Sequence, residues 1–408
     1  MTGISRRGLL AAAGWGLALP PIAAARADRA AAAVADGGWA PPGWPVSAAE
    51  ASVQIVELQR WLLARYADYP AFPPIDPTGV AGDRHTMNAL VFALQVALGV
   101  PAAEASIALG PDTRERIVER GQIGMRRPIN AELTRLFQGA LLMDGAPLPF
   151  TGEFDVLTRA ATMAFQERAE LPVTGDGDLT TWTGLLVSTG DLTRTTRAVD
   201  ASTVVTDARA STLVDAGYTT VGRYLTGRGK QYAHGELDTI FAHGLSTFPI
   251  YQESNRAADD FGRAEGERQG AAAARRAIGL GFPPGTVIFF AVDFDVSVEQ
   301  THRHVMPYFR GVRRALSRAE RRFEPGVYGP RAVCRLLGDS ALTTASFVGG
   351  MSTGYLGNLG HPLPPDWWYD QIEETAVGEG SGAIGIDRNV VSSRARPIRA
   401  IDMVPTPG

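Results

Sequence analysis

Residues 288–297 read IFFAVDFDVS. An apolar run of strand-forming residues stops abruptly at two aspartates, Asp293 and Asp295, with one phenylalanine between them. Residues i and i+2 of a strand share a face. The reading therefore places both carboxylates on one side of a buried strand, with backbones roughly 6–7 Å apart at about 3.3 Å per residue.

Outward from this stretch, strands and helices alternate from Val199 onward. Strand-like segments are AVD (198–200), TTVGRYL (219–225), STFPIYQE (246–253), TVIFFAVDFD (286–295), PGVYG (325–329), SFVGGM (346–351), WWYDQI (367–372) and GIDRNVV (385–391). Helical segments fit at 205–216, 235–244, 257–280, 299–318 and 330–338, and Ser297-Val298-Glu299-Gln300 reads as a capping box. Alternating β and α elements predict a parallel sheet, and eight strands over 199–396 predict a closed barrel. The late loss of helices makes it an irregular (β/α)8 TIM-like barrel. An open doubly wound sheet is the alternative, but GRGK (227–230) is too short for a phosphate loop.

Parallel barrels carry their chemistry at the C-terminal ends of the strands. Asp200 closes the first strand, Arg223 and Tyr224 the second, and Tyr251, Gln252 and Glu253 the third. Asp293 and Asp295 close the fourth, Tyr328 the fifth, Asp370 and Gln371 the seventh, and Asp387 lies in the eighth. Crowded carboxyls cannot all ionise, so one is held protonated as a general acid while another stays charged. Pairs across the mouth would fall within the roughly 5–9.5 Å span used by glycoside hydrolases. The predicted catalytic set is Asp200, Asp293, Asp295 and Glu253. The predicted ligand-binding set is Arg223, Tyr251, Gln252, Tyr328, Asp370, Gln371 and Asp387. Trp367 and Trp368 serve a sugar platform or a core equally well. Structural roles compete: Asp295 as a turn cap before Ser297, Asp293 as a partner of Arg223. Metal-dependent hydrolysis would need histidine ligands, and the six histidines show no usable spacing. No metal and no cofactor is expected.

The first half is helical. Segment 51–123 holds SVQIVELQRWLLARY and DRHTMNALVFALQVALGV, and 124–188 holds NAELTRLFQGALLMDG and a longer helical stretch. Both repeat a helix containing LQ or FQ, a turn, then another such helix. Residues 28–50 and the Thr-rich 189–198 read as linkers, and 397–408 as a tail.

Residues 1–27 carry Arg6-Arg7, an apolar stretch and Ala25-Arg26-Ala27, the pattern of a Tat signal peptide. Pro20 and Pro21 interrupt the apolar run well short of a membrane span. Cleavage would remove three arginines and no acid, moving the net charge from −4 to −7. Partnership with the Tat machinery and a periplasmic, wall or extracellular site follow, with no stable membrane span after cleavage. An acidic product is a poor non-specific nucleic-acid binder, and RRALSRAERR (313–322) reads as a solvated helix face. The single Cys334 excludes an internal disulfide and suits a buried structural thiol.

Two resemblances add to this. The pattern G-x-F-x(3)-T-x-A-x(4)-F-Q from Gly152 to Gln166, then Leu171-x-x-Thr174-Gly175 and Trp182, resembles the three-helix peptidoglycan-binding module. Segment 51–123 looks like a diverged copy. Residues 199–395 resemble the glycoside-hydrolase-like domain-of-unknown-function family, relatives of the family-25 lysozymes. The likeness rests on AGYTTVGRYLTG (216–227), FPPGTVIFFAVDFD (282–295), GVYGPRAVCR (326–335), MSTGYLGNLGHPLP (351–364) and IDRNV (386–390). It implies a TIM-like barrel and a peptidoglycan or other cell-wall glycan as ligand. It also implies that Asp200, Asp293 and Asp387 match lysozyme acids, and that Asp295 stands where those enzymes carry glutamate. One methylene less puts hydrolysis in question, with Glu253 as a substitute acid and a non-catalytic glycan-binding barrel as the alternative.

Overall fold

The computed structural model describes residues 47–253 and 256–401. Residues 1–27, where the signal peptide is expected, most of the 28–50 linker and residues 402–408 of the tail lie outside the described residues. The helical half comprises α1 (Ala48–Tyr66), α2 (Arg84–Ala97), α3 (Pro111–Arg116), α4 (Ala131–Met143), α5 (Val156–Arg168) and α6 (Leu179–Leu186). The 28–50 linker ends inside α1, because Ser47 and Glu50 close a capping box that starts the helix there.

The segments read as 51–123 and 124–188 fold together. Leu58, Leu90, Leu136, Phe137 and Trp182 belong to one core, and Gly139 of α4 faces Leu58 of α1 with no room for a side chain. Their internal repeat is a device used four times. Gln59, Gln95, Gln138 and Gln166 are buried, and each clamps the loop that follows. Their side-chain oxygens accept from the amides of Gly79 (2.9 Å), Ser106 (2.8 Å), Gly152 (2.8 Å) and Gly175 (2.9 Å). Three of the side-chain nitrogens also reach Thr86 (3.0 Å), Thr158 (3.0 Å) and Thr181 (2.9 Å) at the start of the next helix. Asp83, Asp155 and Asp178 cap those helices. A buried amide with its groups bonded fixes a loop that propensity leaves free.

The second half runs β1 (Ala198–Asp200), α7 (Asp207–Asp215), β2 (Thr220–Tyr224), α8 (Glu236–Ala242), β3 (Ser246–Tyr251), α9 (Arg263–Gly279) and β4 (Val287–Ala291). It continues with α10 (Met306–Arg318), β5 (Glu324–Gly329), α11 (Arg331–Asp339), β6 (Ala345–Val348), β7 (Trp367–Val377) and β8 (Ile384–Val391). The strands close a barrel in chain order, as the alternation predicts, which rules out the open sheet. β1 to β7 pair in parallel, but β8 runs antiparallel to both β7 and β1. Only residues 378–383 join β7 to β8, enough for a hairpin and too few for the dozen-residue crossover that parallel pairing requires.

The barrel is filled by Phe248, Phe289, Phe347 and Tyr369, with Phe248 stacked on Tyr369 at 4.1 Å. Gly222 makes this possible: a Cβ there would lie 2.3 Å from the Phe248 ring and 3.0 Å from Asp200. Trp368 packs edge-on to Phe289 within this filling, and Trp367 is fully buried outside the barrel. Neither is a sugar platform. The tail also begins by folding back: Ile398 exchanges two backbone hydrogen bonds with Thr247 of β3.

The segment 189–198 is not a free linker. Arg194 donates to Asp370 (2.9 Å), and Ser188 donates to Gly350 O (2.7 Å). Arg331 of α11 donates to Ser188 O (2.8 Å), and the Trp367 indole to Arg168 O (2.9 Å). Arg168 in turn pairs with Asp144 inside the helical half. These contacts weld helices to barrel along a charged seam. Among the described residues, no helix is long and apolar enough to cross a membrane.

Candidate active site

Inward-facing positions on the eight strands converge at one end of the barrel. β1 delivers Asp200 and β8 delivers Asp387, cross-strand partners in the antiparallel register. Asp200 is buried and Asp387 half-buried. A register shift in β7 between Gln371 and Glu373 sends Glu373 to Arg388, while Gln371 points inward. The Gln371 amide donates to Asp200 (3.0 Å) and to Asp387 (3.0 Å), and Asn389 donates to Asp200 (2.9 Å). The Tyr328 hydroxyl donates to the Gln371 oxygen (2.8 Å), extending the network across the mouth.

The two carboxyls lie within hydrogen-bonding reach of each other. Burial, then the charge of Asp387, holds Asp200 protonated well above the usual carboxylate range. Asp387 is pushed up to about 6, first by burial and then by Glu374, its exposed cross-strand neighbour. Asp200 is the member that keeps the proton, and its hydrogen bond opposes the rise at Asp387.

Asp293 enters the same mouth from the far side. Gln252 donates to it (3.0 Å), and its charge adds to the rise at Asp387. Burial, then these acids, drives the Tyr224 and Tyr328 phenols upward. Tyr355, from the β6–β7 connection, brings its hydroxyl to Asp293, which together with burial raises that phenol as well.

Five residues read from the sequence as site groups lie elsewhere. β4 ends at Ala291, so the same-face rule lapses before Asp293 and Asp295. Asp295 is exposed and accepts from the Leu356 amide (2.7 Å), bracing the loop that carries Tyr355. That loop is also held from the helical half, where Arg84 donates to Gly354 O (2.7 Å). Glu253 points outward, bonded by the Tyr251 hydroxyl (2.6 Å) and paired with Arg268 of α9. Arg223 is fully buried behind β2, paired with Glu236 of α8 (2.6 Å) and donating to Ala201 O. Asp370 belongs to the seam. Tyr251 is likewise buried behind its strand against Phe290. Arg223, Tyr251 and Asp370 each face away from the mouth, and the next residue of each, Tyr224, Gln252 and Gln371, faces it.

The same alternation identifies what the predicted catalytic and ligand-binding sets left out. Tyr224 lies two residues beyond Gly222, the register partner of Asp200. Asn389 lies two residues beyond Asp387 on the same face. Tyr355 sits in an irregular connection and carries no such signal. Lys230, in the β2–α8 loop, places its ammonium 5.3 Å from the Tyr224 ring centroid. Among the described residues, no cluster of His, Cys, Asp and Glu could hold a metal ion.

Residues 211–391 match the family model described as Rv2525c-like, glycoside hydrolase-like domain. Residues 48–186 match, as one unit, the FadG/YbfG, PGDB-like domain. The chain is 38% identical over 362 residues to the uncharacterized protein FadG of Bacillus subtilis (strain 168), covering 87% of this chain and 62% of FadG. It is 38% identical over 357 residues to the uncharacterized protein YbfG of the same organism, covering 84% of this chain and 48% of YbfG. The chain thus spans less than two thirds of either relative. Among solved structures, it is similar to the Tat-secreted protein Rv2525c of Mycobacterium tuberculosis, at 21% identity and a TM-score of 0.42. That match covers 50% of this chain and 98% of the other.

Proposed function

We propose that this chain is an exported cell-wall protein whose barrel hydrolyses a glycan strand of the peptidoglycan type. The observation that carries the reading is the proton-holding Asp200–Asp387 pair facing Asp293 across one mouth. Such a pair can protonate a leaving glycosidic oxygen, through Asp387, the member open to the mouth. Asp293, held by Gln252, stabilises the positive charge that develops on the sugar, or activates water. Tyr224, Tyr328 and Tyr355 offer aromatic faces and hydroxyls to sugar rings. Export rests on the Arg6-Arg7 leader pattern. The helical half, which carries the peptidoglycan-binding pattern at 152–182, engages the same polymer.

A second reading is a glycan-binding barrel without hydrolysis. It is favoured by Asp295, which stands at the lysozymes' glutamate position but is turned to a loop amide. Digestion of purified peptidoglycan separates the two. New reducing ends released by the wild type, and lost in Asp200→Asn, Asp387→Asn and Asp293→Asn, establish hydrolysis. Pelleting with the wall and no release establishes binding alone. Neither pelleting nor release rejects both.

A further inference from the structure

The chain has 39 basic residues, of which 38 are arginine and one, Lys230, is lysine. Where arginine is used almost without exception, the single ammonium stands at the rim of the mouth. The β2–α8 loop folds back to put it there: the Lys230 and Gln231 amides bond Gly227 O (3.0 and 3.1 Å), and the Tyr232 amide bonds Tyr224 O (2.9 Å). Lys230 is half-buried, with its ammonium over the Tyr224 ring. Among the described residues it has no carboxylate within ion-pair distance, although the mouth is rich in them; its charge still reaches Asp387 and opposes the rise there. Arginine differs in kind: its planar fork suits bidentate pairing and ring stacking, whereas an ammonium is a compact point charge with three rotatable donors.

We infer that Lys230 is a specificity residue that receives a carboxylate on the ligand, so that the barrel prefers acidic sugars over neutral ones. The argument rests on the glycan reading above. A mouth lined by Asp200, Asp387, Asp293 and the nearby Glu374 repels an anionic ligand. One unpaired cation beside an aromatic face supplies the compensating contact, and it does so at the edge, leaving the acid pair its proton. The ligand chemistry is a hexose carrying a carboxylate, either as a lactyl substituent on an amino sugar or as a uronic acid.

Calorimetric titration of the whole chain tests this with three ligands of matched length: a neutral N-acetylglucosamine oligomer, a muramic-acid-containing oligomer and a glucuronic-acid-containing oligomer. The readout is the ratio of acidic to neutral affinity within one variant, which cancels any loss of folded protein. The wild type is expected to prefer one of the two acidic oligomers, and which one identifies the source of the carboxylate. In Lys230→Met that ratio should fall by roughly ten- to hundred-fold, the size of a hydrogen bond to a charged group. Lys230→Arg, which keeps the charge, should retain part of the preference. A wild type without preference, or a preference that survives in Lys230→Met, overturns the role of Lys230 and leaves the glycan reading standing. Failure of the wild type to bind all three overturns both.

Discussion

The molecule buries carboxyls in two places, and it treats them in opposite ways. Along the seam between helices and barrel, acids meet arginines: Asp144 faces Arg168, and Asp370 faces Arg194. Burial still lifts Asp144 and lowers Arg168 and Arg331, but in each case the opposite charge pulls back. In the mouth, acids meet acids, with only amides and phenols between them: Asp200 beside Asp387, and Asp293 across from both. Both arrangements carry a desolvation cost. The first returns it as cohesion between domains, the second as a proton held on a carboxyl near neutral pH.

The sharpest way to break the contrast is to change one group at each place, the acid that holds the proton in the mouth and an arginine that answers an acid in the seam. Asp200→Asn is expected to lower release of reducing ends by on the order of 10²–10⁴-fold, the usual contribution of a general acid. It should leave the unfolding midpoint nearly unchanged, because an uncharged amide replaces a protonated, uncharged carboxyl of nearly the same shape. Arg168→Ala should do the reverse. Removing one partner of a buried pair leaves Asp144 without its hydrogen-bonded cation, so urea unfolding should show a loss of about 3–5 kcal/mol. An Asp200→Asn variant that unfolds as easily as Arg168→Ala would erase the distinction.

A smaller effect is readable in pH. The folded state binds more protons at Asp387 than the unfolded chain does between its ordinary value near 3.8 and its folded value of about 6. Stability contributed by this group is therefore full below that window and declines as pH rises through it. Asp144 slopes in the same direction, so the measurement is the difference between wild type and Asp387→Asn, whose unfolding free energy should vary less from pH 4 to 6. The smallest effect concerns Asp295. As a brace and not an acid, its replacement by alanine should speed hydrogen exchange at the Leu356 amide by about five-fold. It should also lower reducing-end release far less than Asp293→Asn does. Equal losses of activity in the two variants would return Asp295 to the chemistry.

Much of the barrel was legible because eight short apolar runs alternate with helical stretches. The run at 288–291, flanked by a late pair of acids, was enough to place the fourth strand. The direction of β8 was not legible, since a strand's residues do not state which way it runs; the brevity of 378–383 was the only clue. Within the site, Asp200, Gln252, Tyr328, Gln371 and Asp387 follow from period-two alternation, whereas Asp293 reaches the mouth from beyond the end of its strand. Arg223, Glu253 and Asp370 drew attention as charged residues at strand ends, but each is one residue out of phase and finds its partner outside the barrel. Asp295 misleads for another reason: the strand has already ended, so spacing no longer sets direction. Tyr355 and Lys230 lie in loops whose course depends on contacts made elsewhere.

Asp200 and Asp387 sit on the first and last strands of the barrel, 187 residues apart in the chain. Their meeting is the closing stitch, with the longest loop of any strand pair to draw together. A chain caught partway through folding, cut short before residue 384, or opened at that stitch has every other strand and no shared proton. Under the proposed activity, the protein becomes chemically competent only in the act of finishing its fold.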